Sequence, residues 1–195
     1  MKKILILQLF LLIINSNPAF GADKARGFFA SFGVGPRLPI SNFASSTDLG
    51  YGFNLEVSYT DNQLLAFFLF AKIGYEQYPG SQGFYESTGY SHFSTTNVPL
   101  NLGLRYYFSP LIESAFLLMP LAEFSASFSY IKELHQFKVA SGKSNYYDEN
   151  YKIGFSAGVG VSMFIMEILA SYNYFQNSQF LAADLKIRLP LLVIF

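Results

Sequence analysis

His92 and Ser94 flank Phe93, and a spacing of two puts both side chains on one face of a β-strand. An imidazole beside a hydroxyl suits hydrolytic chemistry when a carboxylate orients the imidazole. The outward faces that would adjoin this pair offer Tyr75, Phe128 and Tyr130, and no Glu. The pair therefore reads as two residues near a loop without a catalytic role. His135 has no partner pattern and reads as a solvated loop residue. The chain has no Cys, which excludes disulfides, thiolate metal sites, Cys nucleophiles and an acylated N-terminal Cys anchor. No metal cluster, phosphate loop or nucleophile elbow is visible, so no catalytic residue, metal or cofactor is expected.

The remaining candidates are charges at regular spacing: Arg37, Glu56, Lys72, Glu76, Arg105, Glu123, Lys152, Asp184, Lys186 and Arg188. Each falls in a segment of period two, and each falls on the face opposite the apolar one. Charges on the inside of a narrow barrel must pair, because burying one alone is costly. They predict a structural salt-bridge plug. A gated conduit, in which the pairs switch partners, is the sharper alternative. By position along the strands, Glu56, Lys72, Glu123 and Arg188 are expected near mid-height.

The elements that position these charges are eight alternating segments. They run Gly27 to Leu38, Gly50 to Thr60, Leu64 to Tyr78, Phe93 to Phe108, Glu113 to Tyr130, Tyr151 to Met163, Met166 to Phe175, and a last one through Asp184 to Phe195. In the last segment Leu185, Ile187, Leu189, Leu191, Val193 and Phe195 make one face, with Asp184, Lys186 and Arg188 opposite. One face of every segment is free of charge. A lipid-facing charge costs about 2–4 kcal/mol near the bilayer midplane, which gives a physical reason for the sorting. Gly and Ser collect on the charged face, as a narrow lumen requires.

Tyr51, Tyr59, Tyr75, Tyr106, Phe108, Tyr130, Tyr151, Tyr172, Tyr174 and Phe195 fall where an apolar band would meet its interfaces, and read as two girdles. The connections alternate long and short from Pro39 to Gln179, the pattern of long outer loops and short periplasmic turns. The longest, Ile131 to Asn150, holds Lys132, Glu133, Lys138, Lys143, Tyr146, Tyr147, Asp148 and Glu149 and reads as a solvated loop. Binding of a surface ligand there is the functional alternative, with Tyr85 and Tyr90 weaker candidates of the same kind. Pro99, Pro120 and Pro190 interrupt strands, which predicts bulges. The connection at Phe164-Ile165 lacks Gly, Asn and Pro, and a short helix over Met163 to Ala170 is the alternative there.

The first residues read as a secretory signal peptide, with Lys2-Lys3 basic, Ile4 to Ile14 apolar, and a cut after Gly21 in Ala19-Phe20-Gly21. The apolar stretch is too short to span about 30 Å as a helix. The expected domains are residues 1–21, the signal peptide, and residues 22–195, the barrel. Without Lys2 and Lys3 the chain carries 11 basic and 13 acidic side chains. That balance, with no basic patch interleaved with aromatics, excludes nucleic acid as a partner.

In architecture, residues 27–195 resemble the small OmpA/OmpX-type barrels and related outer-membrane β-barrel domains of Gram-negative bacteria. The terminal strand with Phe195 last is similar to the signal read by the barrel-assembly machinery, although Lys186 to Phe195 has no Gly where usual versions have one. The two-domain members carry a periplasmic peptidoglycan-binding domain after the barrel. This chain stops at the barrel, so that function is not implied. Outer-membrane lipid A deacylases use a His-x-Ser pair with a Glu on the lipid-facing wall, and the longer motif around His92 and Ser94 is absent.

The fold expected is all-β: an eight-stranded antiparallel transmembrane β-barrel, an up-and-down meander, after a cleaved signal peptide. The function expected is non-enzymatic, supporting envelope integrity or surface interaction through the loops. A narrow porin-like channel and, less favoured, a lipid-modifying enzyme are the alternatives. A soluble β-sandwich, hiding its apolar faces in a core, is the rival fold. The partners expected are outer-membrane lipid, the secretion and barrel-assembly machinery and a surface ligand at the loops, with the chain a monomer exported to the outer membrane.

Overall fold

The computed structural model describes residues 26–64, 66–111 and 118–194. The signal-peptide segment and Phe195 lie outside the described residues. Eight strands follow in order: β1 Arg26–Ile40, β2 Gly50–Thr60, β3 Phe67–Pro79, β4 Tyr90–Tyr107, β5 Leu118–Phe137, β6 Tyr146–Met163, β7 Met166–Phe175 and β8 Gln179–Ile194. Each pairs antiparallel with the next, and β8 pairs with β1 to close the ring. Closure removes the free sheet edge that an isolated meander would expose. Among the described residues no helix is long and apolar enough to cross a membrane.

The period of two decides which side chains enter the lumen. In β2, Gly52, Asn54, Glu56 and Ser58 are buried inward while Tyr51, Phe53, Leu55 and Val57 are exposed outward. The same holds around the ring, so a continuous apolar wall of Phe, Leu, Ile and Val surrounds a polar interior. A soluble sandwich would bury those residues; here they face outward. Rings pair along both rims of that wall. Phe28 packs at a tilt on Tyr59 and Phe67 on Tyr106 at one end, and Phe53 stacks on Tyr75 and Phe155 on Tyr174 at the other.

The two ends differ. At one end lie the start of β1 and the end of β8, together with the β2–β3, β4–β5 and β6–β7 connections. The β6–β7 connection is only Phe164-Ile165, with Phe164 at φ 51°. Met166 to Phe175 is strand, not helix. At the other end, the β1–β2 connection holds a 3-10 turn, Ser41–Ser45, and the β3–β4 connection holds α1, Gln82–Ser87.

The β5–β6 connection differs from expectation. Strand pairing continues from Tyr130↔Tyr151 out to His135↔Tyr146, so most of residues 131–150 is a two-stranded ribbon. The connection proper is residues 138–145. Beyond the apolar band the ribbon is polar on both faces, with Lys132 and Glu149 outward and Glu133 and Asp148 inward, so period-two hydrophobicity fades while the ladder continues. Lys132 and Glu149 pair across it at 3.2 Å. For the same reason β4 begins at Tyr90, before Phe93.

The prolines are accommodated in three ways. Pro190 sits at a register shift in the β1–β8 seam, where Phe28 faces Leu192 and Phe29 faces Pro190. Pro99 causes no register shift; the β3–β4 ladder lapses between Ile73↔Leu100 and Glu76↔Asn97, and Gly74 leaves room for the ring. Pro120 lies near the start of β5, where its carbonyl accepts from Phe108 N–H at 2.9 Å. Only Pro190 therefore needs the bulge expected for all three.

Candidate functional site: a filled lumen and an ordered rim

The lumen is built in three layers. The middle layer is ionic. Cross-strand register sets Lys72 directly opposite Glu56 and Arg105 directly opposite Glu123. Closing the ring then brings β2, β4, β7 and β8 across from one another. Arg105 donates two bonds of 2.7 Å to the two oxygens of Glu56, two of 2.6 and 3.1 Å to one oxygen of Glu123, and one of 3.3 Å to Glu167. Lys186 donates to Glu56 at 3.0 Å, and Lys72 to Glu123 at 3.0 Å. Arg105 and Lys186 are each 0 % exposed. The planar guanidinium suits this centre, because its fixed fork serves several carboxylates at once.

Above it, toward the α1 end, Arg37 donates to Glu76 at 2.9 Å and to Asp184 at 2.8 Å. Tyr78, Asn97 and Asn54 occupy further acceptor sites of these two carboxylates. In total, Arg37, Lys72, Arg105, Lys186 and Arg188 face Glu56, Glu76, Glu123, Glu167 and Asp184, so charge balances. Between the two groups of ion pairs is a cavity of about 20 Å³, lined by Arg37, Asn54, Lys72, Glu76, Asn101 and Asp184 among others. That is room for about one water molecule.

Aromatic layers close both ends of the ionic layer. At the end of the short turns, the Arg188 guanidinium lies over Phe29 at 4.4 Å and Phe68 at 4.5 Å, and also bonds Glu167 and Tyr107. At the α1 end, Phe43 from the 3-10 turn folds inward against Tyr78, which packs on Phe180, which stacks on Phe175.

The rim at the α1 end is ordered by packing as well. Phe84 stacks on Tyr90 at 5.0 Å, Tyr90 on Phe137 at 4.5 Å, and His135 on Tyr146 at 4.5 Å. Tyr85 donates its hydroxyl to Phe93 O, and Lys138 donates to the carbonyls of Tyr85 and Thr88. These bonds tie α1 to the β5–β6 ribbon, so that two separate connections present one surface. Tyr147 and Lys132 lie on its outer side, with the Lys132 ammonium 4.3 Å from the Tyr147 ring centre.

No protein-family model and no curated protein matches the sequence. Solved structures do match. Neisserial surface protein A (NspA) superposes with a TM-score of 0.51 at 15 % identity, over 85 % of this chain and 97 % of that one. Ail, the attachment invasion locus protein of Yersinia pestis, gives 0.44 at 12 % identity, over 86 % and 100 %. The N-terminal β-barrel domain of Pseudomonas aeruginosa OprF gives 0.44 at 12 %, over 85 % and 99 %. The fold is that of the small OmpA/OmpX-like eight-stranded transmembrane barrels.

Within this barrel the sequence candidates separate. Arg37, Glu56, Lys72, Glu76, Arg105, Glu123, Asp184, Lys186 and Arg188 meet in the lumen. Lys152 does not join them; it is half-buried nearer the rim and donates to Ser178 at 2.8 Å. Arg188 is not at mid-height. Its N–H bonds Ile165 O in the β6–β7 turn, because β8 continues past the start of β7 to pair with β1. Glu167 is the residue missing from the sequence set. It stands one residue into β7 on the charged face, and period two alone was enough to find it.

His135 corrects an expectation. It is in β5, faces inward and is 9 % exposed, not solvated in a loop. His92 and Ser94 do point to the same outer face, where His92 stacks beside Tyr85 and Ser94 lies opposite Leu134 and Pro79.

Proposed function

We propose that this chain is a non-enzymatic integral outer-membrane barrel that serves as a rigid platform for surface interaction at its α1 end. The observation that carries the reading is the filled lumen. Among the described residues a balanced ion-pair network fills the lumen between two aromatic layers, and the cavity inside it has room for about one water molecule. The apolar outer wall supports a lipid environment, with a monomer inserted among outer-membrane lipids after export and barrel assembly. What remains available to a partner is the rim, where β4, β5 and β6 stand beyond the band. The α1 connection and the β5–β6 ribbon form one surface there, carrying Tyr146, Tyr147, Lys132 and Lys143. Exposed segments on a rigid scaffold are where recognition commonly resides.

The test has three readouts. The outer-membrane fraction of cells expressing the full chain should give a gel band that shifts on boiling. Purified protein in planar bilayers should show no steady single-channel current. Cells expressing the chain should gain binding to host-cell or matrix surfaces, and replacing residues 138–145 with a short Gly-Ser turn should remove that gain while the heat shift remains. A steady conductance, lost when Arg105 is replaced, would instead establish a channel. Altered lipid A mass spectra would establish a lipid-active enzyme.

A further inference from the structure

We propose that Glu133, His135 and Asp148 form a divalent transition-metal site in the mouth of the barrel, of the kind that zinc fills. One ligand atom from each of the three lies within 4.8 Å of the others. They are placed by the ladder, not by a loop. Glu133 and Asp148 are register partners in the β5–β6 ribbon, and His135 follows Glu133 by two on the same inward face. A nitrogen and two carboxylate oxygens on one side of a rigid ribbon make a three-point ligand set with positions left for water, which suits zinc and its first-row neighbours.

Two further observations point to a cation. First, Glu133 and Asp148 are like charges directly opposite each other, a pairing that destabilises a sheet unless something positive sits between them. The nearby ammonium of Lys152 is held by Ser178 at 2.8 Å. Second, the imidazole is already oriented as a ligand. Its Nδ1 is 3.1 Å from the Tyr90 hydroxyl, and its ring stacks on Tyr146 with 10° between planes. Its Nε2 is thereby turned toward the carboxylates, 3.6 Å from Glu133 Oε2. A hydrogen bond on the second ring nitrogen is the usual outer-shell device that fixes a metal-binding histidine.

The experiment is titration calorimetry of the untagged, refolded full chain in detergent micelles with Zn²⁺, repeated with Mg²⁺ and Ca²⁺. The expected result is one saturable Zn²⁺ site per chain and no Mg²⁺ or Ca²⁺ binding at the same concentrations. His135→Gln and Asp148→Asn should each weaken it at least tenfold, and Tyr90→Phe severalfold. His92→Gln should leave it unchanged, which separates this site from adventitious histidine binding. Lys152→Met should tighten it by removing a competing cation. Each variant is first checked for the heat-shifted gel band, so that lost binding is not lost folding. Absence of saturable Zn²⁺ binding, or the same affinity in folded His135→Gln and Asp148→Asn, would overturn the proposal.

Discussion

Arg105 and Glu56 meet through two parallel bonds of 2.7 Å, with both side chains wholly out of solvent, across the lumen between β4 and β2. Glu56 also takes Lys186, so one carboxylate holds two cations. Removing its charge leaves both cations short of compensation in a medium that cannot solvate them. Glu56→Gln should therefore destabilise the barrel by about 3–5 kcal/mol, the range for breaking a buried pair from one side. Lys72→Met should cost less, because Glu123 retains Arg105 as a partner. The measurement is urea unfolding in lipid vesicles, followed by tyrosine fluorescence because the chain has no Trp. An unchanged midpoint for Glu56→Gln would refute the structural role assigned to the network.

Leu102 stands on the outer face of β4, 58 % exposed, between Leu100 and Leu104. If that face meets hydrocarbon, Leu102→Arg places a charge in it and should cost about 2–4 kcal/mol. The same change at Val139, wholly exposed in the β5–β6 connection, should cost nothing measurable. Comparison of the two in lipid vesicles tests the location of the apolar band directly. Equal stability of the two variants would mean that the β4 face is wet.

The alternation along each strand makes the two faces legible without a structure. Leu55, Glu56 and Val57 alone assign one residue to the lumen and two to the wall. The partners inside the lumen are not legible in that way. Glu56 and Lys72 are neighbours on a hairpin, but Glu56, Arg105 and Glu167 come from β2, β4 and β7 and meet only because the ring closes. β8 also runs past the start of β7 to pair with β1, which is why Arg188 sits by the β6–β7 turn. The β5–β6 ribbon is hidden for another reason. Lys132, Glu133, Asp148 and Glu149 show no apolar face because charged side chains occupy both sides of the ladder there, and the buried His135 is lost to view among them.

Asp61 organises the β2–β3 turn. Its carboxylate accepts from the backbone N–H groups of Leu64 at 3.0 Å and Gln63 at 2.9 Å, and from the Tyr59 hydroxyl. These bonds, that from Leu64 foremost, hold it below the usual carboxylate range. A group depressed in the folded state adds stability above its unfolded value, and that stability is lost as pH falls through the folded one. The wild-type barrel should therefore lose stability relative to Asp61→Asn on acidification below the ordinary Asp range, and the gap between them should be constant at neutral pH. Urea midpoints measured from pH 7 downward would show it. A gap independent of pH would assign the turn's stability to something other than the charge.

Gly35 marks the tightest point of the ring's closing seam. The β1–β8 ladder lapses between Val34↔Leu185 and Arg37↔Ala182, and a Cβ on Gly35 would lie 1.7 Å from the Ala183 carbonyl oxygen. That neighbour is backbone, so it cannot swing aside as a flexible side chain would. Gly35→Ala must push β1 from β8 next to Arg37 and Asp184, whose bond spans the same seam. The expected cost is at the upper end of the 1–3 kcal/mol of ordinary overpacking, or about 3 kcal/mol, with a smaller heat-shifted fraction on refolding. Gly83, in α1 with open space around it, is the control; Gly83→Ala should leave the shifted fraction unchanged. If Gly35→Ala refolds as well as Gly83→Ala, the seam must have slack enough for a methyl group, and closure at this register would not depend on glycine.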